Sequence, residues 1–246
     1  LESALRDSYR KLLDLYAEIL VDLEEGMENP VEVDLGAGNV ALKFPQQDAQ
    51  HAMIMKIAVA ISGLNACMIL LDAGHVFEIG VLERTIEDAA QDANFFAKAV
   101  VRQEWTKHHE KHLADFWAEP FDDAGDVTGT IRRSDGAKRD KIRSYLVDKS
   151  PDPYNAGRAG TTIFVLDSGY IHAHSRNIME IYDHRTQQLA VAGVTLPLTL
   201  LGYQADVGGY LFRVGIVLHR IMKALHRTRH ESELTEQLTR FAQTGA

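Results

Sequence analysis

An all-α fold, a helical bundle around one long central hairpin, is what this sequence predicts. Three observations carry that expectation. Residues 53–71 are almost continuously apolar, broken only by Lys56, Ser62, Gly63 and Asn65, and are followed by Asp72-Ala73-Gly74. Nearly every other apolar segment repeats at three- and four-residue steps, the spacing of one helix face. Strand-like alternation is confined to one short stretch, residues 31–44, which predicts a minor β-hairpin.

The central stretch, residues 48–105, reads as two helices joined at Gly74, a residue suited to the left-handed turn that ends a helix. A run as apolar as 53–71 has the length of a membrane span. Lys56 and Asn65 argue against that, because each would need a polar partner in lipid. A helix apolar on all sides is then the central helix of a core. In the second helix, from His75 to about Glu104, the residues Ile79, Leu82, Ile86, Ala89, Ala93, Phe96 and Val100 share one face at about 100° per residue. Arg84, Asp88 and Gln91 lie opposite, flanked by Phe77, Val81 and Phe95. If neighbours cover both faces, Arg84 is buried and must be paired, with Asp88 at i+4 or Glu87 at i+3. The alternative is a solvated salt-bridge stripe.

The first 25 residues form an amphipathic helix on Leu5, Tyr9, Leu12, Tyr16, Ile19 and Leu23, closed by Gly26 and Asn29-Pro30. His108, His109 and His112 read as the hydrated end of a surface helix; a metal could use the i, i+4 pair, but the zinc-protease pattern and a closed ligand set are both missing. Long loops are expected near 119–137 and 148–161. The basic segment 132–143, with Arg132, Arg133, Lys138, Arg139, Lys141 and Arg143, is either a solvated helix start or a contact for RNA phosphates. Residues 162–183 read as a helix whose apolar face (Ile163, Phe164, Ile171, Ile178, Ile181, Tyr182) also carries Asp167 and His174, with His172 on its shoulder and Arg176 and Glu180 as a surface pair. Residues 184–202 read as a loop or broken helix, and the last strong helix as Tyr203 to His226, basic on one side through Arg213, Arg220 and Lys223. The tail from Glu231 is helix-prone.

Composition fits a single domain of 246 residues with 46% hydrophobic content. A net charge of -9 argues against a general nucleic-acid binder. A lone cysteine, Cys67, excludes an internal disulfide. No signal-peptide pattern is present, and the chain reads as soluble and cytoplasmic. Serine-nucleophile, dinucleotide and cysteine-based metal patterns are missing, so neither a cofactor nor a structural metal is expected.

Two stretches carry a resemblance. Leu82-Glu83-Arg84-Thr85-Ile86-Glu87-Asp88 and Tyr170-Ile171-His172-Ala173-His174-Ser175 resemble paired motifs in uncharacterised, all-helical bacterial proteins grouped as domains of unknown function. There an Arg and a following acid on one helix accompany a His on a later helix. The resemblance spans residues 50–225. It leaves Glu87 or Asp88 as the acid and His172 or His174 as the histidine; the helical wheel prefers Asp88 and His174. Such proteins are distantly similar to HEPN domains, helical bundles that include ribonucleases of toxin and phage-defence systems. Their Arg, four-to-six-residue gap, His motif has counterparts in Arg102 to His108 and Arg220 to His226, though Ile221 departs from the polar residue usual after Arg. In that ribonuclease motif, which works without metal, the His moves a proton and the Arg stabilises phosphorane charge. If a pocket opens between the two helices that carry the paired motifs, Arg84 and Asp88 are the candidate catalytic residues with His174 or His172 as acid or base. Otherwise the polar cluster is structural or regulatory, or binds a small anionic ligand through Arg84, Glu87 and Asp167. A homo-oligomer or RNA is the partner these readings allow.

Overall fold

A computed structural model describes residues 3–36, 39–118 and 134–243. It is an all-α bundle with two small antiparallel strand pairs. Helix α1 (Ser3–Glu24) leads into the hairpin β1 (Val31–Gly36) and β2 (Asn39–Lys43). The central pair is α2 (Ala49–Ala73) and α3 (Val76–Arg102). Then come α4 (Lys107–Trp117), α5 (Arg139–Val147), α6 (Pro153–Ile171) and the short α7 (Ser175–Ile178). A single 3-10 turn and the pair β3 (Tyr182–Asp183) and β4 (Gln188–Leu189) precede α8 (Pro197–Ala224) and α9 (Glu231–Gln243).

The α2–α3 hairpin is punctuated by ordinary helix chemistry. Asp48 caps α2 by accepting from the His51 backbone N–H at 2.9 Å. Gly74 ends α2 at φ 75°, its N–H turned back to Leu70 and Leu71. A side chain there would also strike the Val194 carbonyl, because Val194 donates its N–H to Gly74 at 2.7 Å. Helix α2 is long and apolar enough to cross a membrane by length and composition; in this fold α1, α3 and α8 pack against it, and Val59 and Ile69 stay exposed.

Helix α3 touches α2, α4, α5, α6 and α8, so both its faces are covered. Ile86 packs against Gly63 of α2, and the face of Arg84 and Asp88 meets α5 and α6. This decides between the two readings of that stripe: Arg84 is 7% exposed. Helix α1 is fastened to α8 by Tyr9 and Tyr16, which donate to the carbonyls of Gln204 and Leu211 at 2.8 and 2.9 Å. Leu234, Leu238 and Phe241 of α9 close the core beside them.

Four stretches differ from expectation. Residues 153–161 are helix, not loop: Pro153 occupies the first turn, where no N–H is needed, and Asp152 accepts from the Asn155 N–H at 3.1 Å. The same helix ends at Ile171, and Ala173 at φ 47° turns the chain, so residues 162–183 are not one helix. Pro197 likewise starts α8 rather than breaking it. His109 is fully buried, stacked on Phe95 at 3.9 Å, and burial together with His108 and His112 lowers its pKa to about 4. His109 is therefore core and His112 half-buried, while His108 alone of the three stays exposed. Most of the expected 119–137 loop, with Arg132 and Arg133, lies outside the described residues.

Helices α3 and α6 meet at Gly80. A Cβ added there would lie 2.5 Å from the Tyr170 ring, and that ring is held by hydrogen bonds of its hydroxyl to Glu180 and Tyr203, each at 2.7 Å. Gly80→Ala is expected to cost roughly 1–3 kcal/mol by overpacking, despite the better helix propensity of alanine. Urea unfolding with unchanged helical circular dichroism checks this.

Candidate functional site

A chain of charges runs along α3. Asp92, 1% exposed, takes Lys56 of α2 at 2.9 Å and His112 Nε2 of α4 at 3.0 Å. Arg139 of α5 grips it with two N–H groups, at 2.5 and 3.2 Å. Burial opposes the Asp92 charge, but the His112 contact and the cations Arg139 and Lys56 outweigh it and hold the carboxyl far below its ordinary range. Arg139 also reaches Asp88, its Nε 3.4 Å from Oδ1, and Asp88 accepts from Arg84 at 2.5 Å. The Arg84 guanidinium lies over the Phe164 ring of α6, 3.9 Å from its centroid.

This places the sequence-derived residues. Arg84 and Asp88 are paired, and Asp167 stands on α6 against the same helix. Asp167 does not bind Arg84; it accepts from the Tyr210 hydroxyl of α8 at 2.5 Å, and burial raises its pKa. Glu87 accepts from Gln91 at 2.7 Å and lies 3.8 Å from Arg213 Nη1. His172 and His174 do not join them. His172 caps α6, His174 precedes α7, and both are exposed. Their rings stack on each other at 5.9 Å. The helix that was to aim His174 inward stops before reaching it. Arg176 and Glu180 are not a surface pair either, since Glu180 accepts from Tyr170 and Tyr203.

Beside the Arg84 brace a cavity of about 530 Å³ opens between α3, α5, α6 and α8. Arg143, Arg213 and Arg220 line it, with Glu87 as its one carboxylate, and Leu146, Phe212 and Ile216 among its apolar walls. Arg143 shares the Phe164 ring with Arg84, its guanidinium 4.3 Å from the centroid, and its buried Nη1 has no hydrogen-bond partner. Arg213 stacks on Tyr210 at 3.9 Å and leaves its Nε unpartnered. Arg220 donates to Asn94. Among the described residues, neither Arg143 nor Arg220 has a carboxylate within salt-bridge distance. Burial lowers the pKa of both, and neighbouring guanidiniums add to it: Arg84 and Arg139 for Arg143, Arg102 for Arg220. Gly157 and Gly160 face the cavity from α6; side chains there would meet only ordinary contacts, at 3.8 and 3.9 Å, so the missing side chains keep it open.

Sequence reasoning saw these arginines as two separate basic stretches. Arg139 and Arg143, i and i+4 on α5, turn inward, while Lys138 and Lys141 stay exposed. Asp92 carried no signal beyond being an acid on a long helix. Comparison with known proteins returns no matching family model, no matching curated protein and no matching solved structure. Fold and cavity define this chain as an all-α bundle with an arginine-lined pocket.

Asp92→Asn leaves Lys56 and Arg139 without their shared charge and is expected to destabilise by roughly 3–5 kcal/mol. The depressed Asp92 pKa means its contribution is complete above the unfolded value of 3.8 and is lost as pH falls below it. Unfolding free energy against pH checks both points: the wild type should lose stability in that acid range, and the variant should lose less.

Proposed function

We infer that the protein binds a small anionic molecule with an apolar body, such as a phosphate or carboxylate on a hydrocarbon or aromatic frame. The observation that carries this reading is the charge imbalance of the α3–α5–α6–α8 cavity, three guanidiniums against one carboxylate. Half-buried guanidiniums with no carboxylate in salt-bridge distance among the described residues, as at Arg143 and Arg220, are costly, and an anion entering between them would offset that cost with charge-assisted hydrogen bonds. The forked donors of arginine suit phosphate and carboxylate oxygens. The apolar walls leave room for the remainder of such a ligand. Arg84 supports the site rather than touching ligand: with Asp88 it holds Phe164, and Phe164 carries Arg143.

Calorimetry with phenyl phosphate and with inorganic phosphate tests this. Phenyl phosphate should bind saturably and more tightly than phosphate alone. Arg143→Ala or Arg220→Ala should weaken it about 10- to 100-fold, the value of one charge-assisted bond at roughly 1.5–3 kcal/mol. Gly157→Leu should block it without unfolding the protein. No anion binding would overturn the reading. RNA cleavage without added metal, lost in Arg220→Ala and His226→Ala, would replace it with the HEPN-like ribonuclease.

A further inference from the structure

A second cavity, of about 510 Å³, lies further along α3, α6 and α8, roofed by α7 and the 3-10 turn. Its polarity is opposite. Glu83, Asp167, Glu180 and Asp206 line it, against Arg176 and Arg213. Two of the four carboxyls are already engaged by hydroxyl donors: Asp167 by Tyr210, and Glu180 by Tyr170 and Tyr203. Glu83 is different. It is 4% exposed, and its buried Oε1 has no hydrogen-bond partner among the described residues. Gly209 of α8 lines the same cavity, and a Cβ built there meets nothing within 4 Å, so the space before it is empty. A deeply buried acceptor facing unfilled space, with exposed Asp206 lining the same cavity, is an arrangement a donor-bearing cation would complete.

We propose that this cavity binds an organic cation, a primary alkylammonium, with Glu83 Oε1 as its buried acceptor and Asp206 as a second carboxylate. An ammonium presents three N–H donors to acceptors spread around it. A metal ion fits less well: two of the carboxyls are held by tyrosines, and no cluster of three or more His, Cys, Asp or Glu among the described residues is arranged to hold one. The site is separate from the basic cavity, with only Arg213 common to the two linings.

Proton release should accompany binding. Burial first, then the like charges of Asp206, Asp167 and Glu180, push Glu83 up to about 9, and Arg213 opposes them. Glu83 faces Cys67 of α2, which is itself pushed up to about 12 by burial and by Glu83, and is neutral near pH 7. Arg176 is the other cation at the site. Near pH 7 Glu83 therefore holds a proton. When the ammonium enters with its charge, that proton leaves to buffer and the carboxylate pairs with the ligand.

Calorimetric titration of the full chain with 1,4-diaminobutane at pH 7 and low salt, in two buffers of different ionisation enthalpy, tests the proposal. The expected result is saturable binding with net proton release. Glu83→Gln should weaken binding at least 10-fold and abolish the release, while Arg220→Ala leaves both unchanged. Gly209→Leu, which fills the cavity where a side chain has room, should also abolish binding and serves if Glu83→Gln fails to fold. Absence of saturable binding, binding that survives Gly209→Leu, or displacement of the diamine by equimolar Mn²⁺ would overturn the proposal. Loss of diamine binding in Arg220→Ala would overturn its separateness from the anion site.

Discussion

The buried carboxylate of Asp92 is the interaction on which the arrangement depends. One residue on α3 collects Lys56 from α2, His112 from α4 and Arg139 from α5. A lone buried carboxylate would be strongly unfavourable; three partners with good geometry offset its desolvation. The consequence is positional. Arg139 is drawn to Asp92 and Asp88, which lays α5 along α3 and turns Arg143, one helical turn on, towards the cavity. Asp88 passes the constraint to Arg84, Arg84 lies over Phe164, and Phe164 receives Arg143. The structural ion network is thus continuous with Arg143, one of the candidate binding arginines.

What the sequence revealed follows from which interactions are local. Periodicity marked α1, α3 and most of α8 because each repeats its apolar residues over several turns, and α2 was marked by its nearly continuous apolar run. Alternation around Gly36 and Asn39 marked the β1–β2 hairpin. The Arg84–Asp88 pair was legible because both partners lie on one helix, four residues apart. Residues 153–161 were misread because their Pro and Gly content, ordinarily loop chemistry, here serves a first turn and an open cavity wall. His174 does not face inward for the related reason that one left-handed residue, Ala173, ends the helix its placement assumed. Glu83 and Asp92 were invisible as candidates, and Arg143 was legible only as part of a basic stretch, since their surroundings come from helices distant in sequence. A charge on a helix looks the same whether its face meets water or another helix.

The two cavities divide the charge of the α3–α8 seam. Along it, Glu87 and Gln91 face the arginine-lined side while Glu83 faces the carboxyl-lined side, with Arg213 reaching both. Helix α3 can carry such different residues one turn apart because different helices cover them, α5 and α6 at one level, α6 and the segment around Glu180 at the next. Arg213 balances both sides, 3.8 Å from Glu87 and the main opposing charge to Glu83. Neither cavity is electrically closed by its own residues, which is the feature that sets this seam apart from a packed helix interface.

The most direct test of the central claim is a crystal structure of the protein grown with tungstate, whose anomalous scattering locates an oxyanion without ambiguity. The account predicts a strong peak among the guanidiniums of Arg143, Arg213 and Arg220, and none in the cavity lined by Glu83. A peak only on exposed lysines or at lattice contacts, with the cavity empty, would contradict it.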